Sequence, residues 1–151
     1  MTSEQSTRTI AFRISAFRPK DAVALYARLA VGAALLSAVA SRFGLWDGTL
    51  DWAHYQKFVH FTAQVNSFLP APVIPFLACS ATIAETVIGT ALIAGFQVRL
   101  AAFAAAILLA LFGTAMAVSF GAESPLDYSV FSASAAALLL AMRAQEGTGD
   151  L

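Results

Sequence analysis

The sequence predicts an all-α fold: an integral membrane four-helix bundle with an interfacial helix in its outer loop. Three observations carry this expectation. Of 151 residues, 59% are hydrophobic and only 12% are charged, and the mean hydropathy is +0.74, well outside the range of soluble globular domains. The apolar residues gather in runs long enough to cross a hydrocarbon core of about 30 Å. Midway along one of them, Val73 to Phe96, stands a carboxylate, Glu85. An acidic side chain at that depth costs roughly 2.5–3.5 kcal/mol on insertion scales and should face a partner or a polar cavity rather than lipid.

Residues 1–21 read as a cytoplasmic N-terminal tail carrying Arg8, Arg13, Arg18 and Lys20. Ile10, Phe12, Ile14 and Phe17 would let part of it lie on an anionic membrane surface, and a disordered tail fits equally well. The membrane domain spans residues 22–142, with spans placed by the length of each apolar run and by its breakers. The first covers about 22–41. It ends in Ala38-Val39-Ala40-Ser41, a pattern like a signal-peptidase site, but the polar segment before it is longer than a signal n-region, so the span is expected to stay uncleaved. The second covers 73–96, opened by Pro70, Pro72 and Pro75 and closed near Gly95. The third, 100–120, follows a turn of a few residues, which makes the two an antiparallel hairpin. The fourth covers about 126–142, after the break at Gly121–Pro125, and residues 143–151 form a C-terminal tail.

Basic residues orient the bundle, since Lys and Arg in short loops stay cytoplasmic. Arg8, Arg13, Arg18, Lys20, Arg99 and Arg143 fall on one side, against Arg42 and Lys57 on the other. Both termini are therefore expected in the cytoplasm. The outer loop, Arg42 to Pro72, is too long for a plain connector. On a helical wheel Tyr55, Phe58, Val59, Thr62, Val65 and Leu69 share one face, and Gln56, Lys57, His60 and Gln64 the opposite one. Trp46, Trp52, Tyr55, Phe58, Phe61 and Phe68 are the ring types that settle at headgroup level, so this helix should lie flat over the outer mouth of the bundle.

Several chemistries are excluded. The zero net charge leaves no nucleic-acid footprint, and no dinucleotide fingerprint, phosphate-binding loop or HExxH pattern occurs. The single cysteine, Cys79, rules out a CxxC relay within the chain and reads as a small residue packed on a helix. His54 and His60 stand six apart, on different faces of a helix in the outer interface. The spans hold no facing histidine pair for haem, and no metal ligand set emerges.

The candidate site is an intramembrane pair, Arg28 with Glu85. Arg28 is the only basic residue inside another apolar run, and with level inner ends the two lie about 6 Å apart in depth. One partner lowers the burial cost of the other. The competing arrangement sends Arg28 to the inner headgroups and leaves Glu85 protonated or bonded to Ser80, Thr82 or Thr86. Glu85 is a candidate catalytic residue for proton transfer.

Tyr26-Ala27-Arg28-Leu29-Ala30-Val31-Gly32 resembles the opening of the DoxX-like membrane protein family. Glu85-Thr86-Val87-Ile88-Gly89, Leu92, Gly95-Phe96 and Arg99-Leu100-Ala101-Ala102 are similar to that family's glutamate, glycine and turn-arginine pattern, and Leu69-Pro70-Ala71-Pro72 fits its approach to the second span. The resemblance covers about residues 22–142. The chain departs from it at Ala40-Ser41-Arg42-Phe43, where the family usually carries a glycine and a lysine. It implies a bacterial inner-membrane protein of four helices, in some relatives a membrane subunit of quinone-linked or sulfur-compound oxidoreductase complexes. Two function classes follow. In one, the chain is the membrane part of such a complex, with quinone as its redox cofactor, a redox protein as its partner and Glu85 moving protons. In the other, it is a non-catalytic membrane component that binds a partner protein or a hydrophobic solute. Contact with the lipid bilayer is common to both, and self-association into a homo-oligomer is open in both.

Overall fold

The computed structural model describes residues 19–146. Expectations for the N-terminal tail up to residue 18 and for residues 147–151 lie outside the described residues. Everything described is helix, turn or loop, without strands.

Helix α1 (Pro19–Arg42) begins on a proline, which lacks the N–H that a first helical turn leaves unpaired, and carries Asp21 in its first turn and Arg42 in its last. Both charges suit the helix dipole. The chain then reverses through Gly44 and Gly48, with φ of 72° and 70°, around a short 3-10 turn, Leu45–Asp47. Asp51 caps α2 (Trp52–Val65) by accepting from the Ala53 N–H at 3.0 Å. Its burial follows the expected wheel: Thr62 and Val65 are buried, and Gln56, Lys57, His60 and Gln64 are exposed. A second 3-10 turn, Ala71–Val73, leads into α3 (Ile74–Ala94), with proline again at its start.

Helix α3 ends at Gly95, whose φ of 76° lets its N–H and that of Phe96 fold back onto the carbonyls of Leu92 and Ala91. Gln97, also at positive φ, opens α4 (Val98–Phe120). The turn is as tight as expected and makes α3 and α4 antiparallel. The expected fourth span requires correction. The segment starting at Leu126 is not one helix: α5 (Glu123–Asp127) stops at Tyr128, Ser129 takes φ of 55°, and α6 runs from Val130 to Glu146. The break falls on the polar residues Asp127, Tyr128 and Ser129. Among the described residues three helices, Asp21–Arg42, Ala71–Ala94 and Val98–Phe120, are long and apolar enough to cross a membrane; the 17-residue α6 is a shorter apolar helix.

Small residues face inward and large ones outward. Ala101, Ala102, Ala105 and Ala106 of α4 are buried while Leu100, Phe103, Ile107 and Leu111 on the same helix are exposed. This distribution suits contact with lipid, where close helix approach replaces the hydrophobic effect as the packing force. Helix α4 packs on α6, where the Ser134 hydroxyl donates to the Ala106 carbonyl at 2.7 Å. Helix α1 packs antiparallel on α3 through two glycines. A Cβ on Gly32 would stand 3.0 Å from the Gly89 carbonyl oxygen, and one on Gly89 would stand 3.1 Å from that of Gly32. This crossing sets the register that decides the site.

Helix α2 crosses one end of α3 and α4. The Ser119 hydroxyl of α4 donates to the Val65 carbonyl at 2.6 Å, and Phe61 meets Phe120 with ring centroids 6.1 Å apart.

Candidate functional site

Glu85 lies at the middle of α3 with 1% of its side chain exposed, and the guanidinium that meets it belongs to Arg42. Arg42 is itself buried, at 9% side-chain exposure, and its Nη2 donates to Glu85 Oε1 at 2.6 Å. Its Nη1 donates to Thr82 Oγ1 at 3.0 Å, and its Cζ stands 3.7 Å from the centroid of the Phe58 ring. The Thr82 hydroxyl in turn donates to the Ala78 carbonyl at 2.8 Å. One arginine at the last residue of α1 thus ties α1 to two successive turns of α3 and to the underside of α2. The planar fork of the guanidinium suits this role, because one face and two nitrogens are used at once.

The expected pair of Arg28 with Glu85 does not form. The Gly32–Gly89 crossing places Arg28 opposite Gly95, at the far end of α3: a Cβ on Gly95 would lie 2.7 Å from Arg28 Nη1. Gly95 is ten residues, about 15 Å along the helix, from Glu85. The adjacent ends of the two helices are not level, since α1 begins at Pro19 and runs about nine residues past the end of α3. That offset raises Arg42, fourteen residues or about 21 Å further along α1, to the depth of Thr82 and Glu85.

Aromatic rings close the α2 side of the pair. Tyr55 stacks on Phe43 at 5.7 Å and on Trp52 at 4.8 Å, and Phe58 lies tilted against Tyr55 at 6.1 Å. Burial, reinforced by the neighbouring Cys79 thiol, pushes the Tyr55 phenol above its ordinary 10.0, against the opposing pull of Arg42 and Thr82. Cys79 is exposed on α3, so the expectation that it packs inside is corrected: it occupies the outward face next to the buried Ala78.

With the Thr82 hydroxyl and two guanidinium nitrogens committed, one polar atom at the centre of the cluster has no partner: Glu85 Oε2, which is buried and accepts no hydrogen bond. The cluster therefore holds a carboxyl group bonded through one oxygen and buried without a partner at the other.

The histidines stand elsewhere. His54 Nε2 is 3.1 Å from Asp47 Oδ2 in the loop that precedes α2. His60 lines a groove of about 560 Å³ between α2 and the start of α3, shared with Gln56, Ser67 and Ile74. None of the groove's lining residues belongs to the Arg42–Glu85 cluster.

Sequence reasoning identified Glu85 and the apolar face of α2 that supplies Phe58 and Tyr55. It missed Arg42 and assigned that residue only to the outer loop. A signal was present: Arg42 is a basic residue at the very end of the first apolar run. Compared with protein-family models, with curated proteins and with solved structures, the chain matches none of them.

Proposed function

We propose that this chain is a multi-pass four-helix membrane protein of the DoxX-like kind, with both termini in the cytoplasm of a bacterium and α2 lying over the outer mouth. In this reading it serves as the membrane subunit of a quinone-linked redox complex, and the Arg42–Glu85 cluster receives the polar head of the quinone. The observation that carries the reading is the unpartnered Glu85 Oε2. Leaving a buried carboxylate oxygen without a donor is costly, and a hydroxyl donor or a proton supplied there relieves it. Reduction of a quinone to the quinol takes two electrons and two protons. The electrons come from the partner's reduced cofactor; one proton passes to a quinone oxygen from Glu85 Oε2, which is reloaded from solvent, and the other comes directly from solvent. Arg42 holds the carboxylate through Oε1, so the open oxygen keeps its position through the exchange.

The test is Glu85→Gln in membranes that contain the assembled complex. Quinone-dependent turnover per folded complex recovered should fall by an order of magnitude or more. Unchanged turnover in Glu85→Gln, or unchanged quinone reduction by sulfur compounds and other donors after loss of the gene, would exclude it.

A second reading is favoured by the engagement of Arg42 with three helices: the cluster is a clamp fixing helix register in a non-catalytic membrane component. Under it, Glu85→Gln lowers recovery of the folded protein, and any turnover loss tracks that recovery.

A further inference from the structure

We propose that Arg28 forms the core of a binding site for the phosphate of an anionic phospholipid, at the end of the molecule where α3 turns into α4. The site rests on the membrane reading above and is independent of its quinone part.

The guanidinium of Arg28 is seated on the one residue that leaves room for it. A side chain on Gly95 would bring its Cβ to 2.7 Å from Nη1 and 3.3 Å from Cζ. Arg28 Nε is buried there with no hydrogen-bond partner. Among the described residues the ion pairs are Arg42 with Glu85, His54 with Asp47 and Arg143 with Asp21, and none of them involves Arg28. A partly buried guanidinium without a counter-charge is costly, and a phosphate is the acceptor whose geometry matches it, two oxygens to two N–H groups.

The position selects the source of that phosphate. The turn Gly95–Gln97 ends one membrane-length helix and starts another, so it lies at headgroup depth. Arg99, exposed and two residues beyond the turn, adds a second positive charge at this end. Leu29 beside Arg28, Phe96 beside Gly95 and Leu100 beside Arg99 are all exposed large apolar residues, a surface for acyl chains. Basic pockets between spans on the cytoplasmic side are of the kind that bind anionic headgroups. A free phosphate would use the charges and leave this apolar surface unused; a phospholipid uses both.

The experiment is native mass spectrometry of the full chain in detergent micelles, titrated with phosphatidylglycerol, with phosphatidylcholine, and with phosphatidylglycerol in the presence of excess inorganic phosphate. One phosphatidylglycerol should be retained about tenfold more tightly than phosphatidylcholine, and inorganic phosphate should not displace it. Arg28→Gln should abolish the preference, Arg28→Lys should keep only part of it, and Arg99→Ala should weaken it several-fold. Glu85→Gln should leave it unchanged. Equal retention of the two lipids by the wild-type chain, or a preference that survives in folded Arg28→Gln, overturns the site. Displacement by inorganic phosphate also overturns it, by making it a general phosphate site. If Arg28→Gln fails to fold, the wild-type lipid comparison and Arg99→Ala still decide. A chain that stays monodisperse without detergent would overturn the membrane reading as well.

Discussion

Removing the Arg42 guanidinium should be among the most damaging single changes available in this protein. Arg42→Met keeps the length and apolar stem of the side chain. It deletes the 2.6 Å contact to Glu85, the 3.0 Å bond to Thr82 and the stack on Phe58 together. Glu85 is then left as a carboxylate with 1% exposure and no counter-charge, a situation that costs about 3–5 kcal/mol. Glu85→Gln should cost less, roughly 1.5–3 kcal/mol, because the amide oxygen still accepts from Arg42 while the charge complement is lost. The double variant Arg42→Met/Glu85→Gln removes both charges, so its cost should fall short of the sum by about 1–3 kcal/mol. The same cycle with Arg28→Met in place of Arg42→Met should be additive within about 0.5 kcal/mol, since Arg28 sits against Gly95, about 15 Å along α3 from Glu85. The assay is reversible unfolding in mixed micelles by a denaturing detergent, followed by far-ultraviolet circular dichroism. Additivity for Arg42 with Glu85, or coupling for Arg28 with Glu85, would refute the register described above.

Three further outcomes are expected. Gly89→Ala should destabilise the chain by about 1–3 kcal/mol, because its Cβ would meet Leu36 Cγ at 2.9 Å and the Gly32 carbonyl at 3.1 Å; neutral behaviour in the same unfolding assay would contradict the close α1–α3 crossing. Tyr55 should ionise above the ordinary 10.0. Its contribution to stability is therefore complete below the unfolded value and is lost as pH rises through the folded one; difference spectra of Tyr55→Phe against wild type should show it as a late-titrating phenol, and titration at or below 10.0 would contradict its burial beside Cys79. Reporter fusions should place both termini in the cytoplasm and residues 42–72 outside, and an outward-facing N-terminus would reverse the orientation drawn from the basic residues.

Much of this architecture was legible in the residues because bilayer-length hydropathy, prolines and a glycine-closed turn are local signals. The ends of α3 and α4 fall within two residues of the expected bounds, and the buried face of α2 is the one that its 3.6-residue periodicity selects. The partner of Glu85 was not legible, for a physical reason. The depth at which α1 meets α3 depends on where Gly32 and Gly89 let two backbones approach, and hydropathy, which registers how apolar a run is, carries no information about its offset from a neighbour. The start of α6 was legible but overlooked: Asp127, Tyr128 and Ser129 separate Leu126 from the apolar run that begins at Val130, and the positive φ of Ser129 interrupts the helix there. Cys79 was expected inside because small thiols usually are, yet on a helix surrounded by large outward-facing side chains a small residue can equally line the outer face.

In the proposed function the unpartnered oxygen of Glu85, held in place by Arg42, meets the head of a quinone. The most direct measurement is the quinone content of the protein purified with its native lipids and partners, determined by mass spectrometry for wild type and for Glu85→Gln recovered in the same folded state. The account predicts a quinone retained at a fixed ratio by the wild-type protein and lost from Glu85→Gln, with the anionic lipid unchanged. A wild-type protein that carries neither a quinone nor a redox partner, or a quinone held equally by both forms, would contradict it.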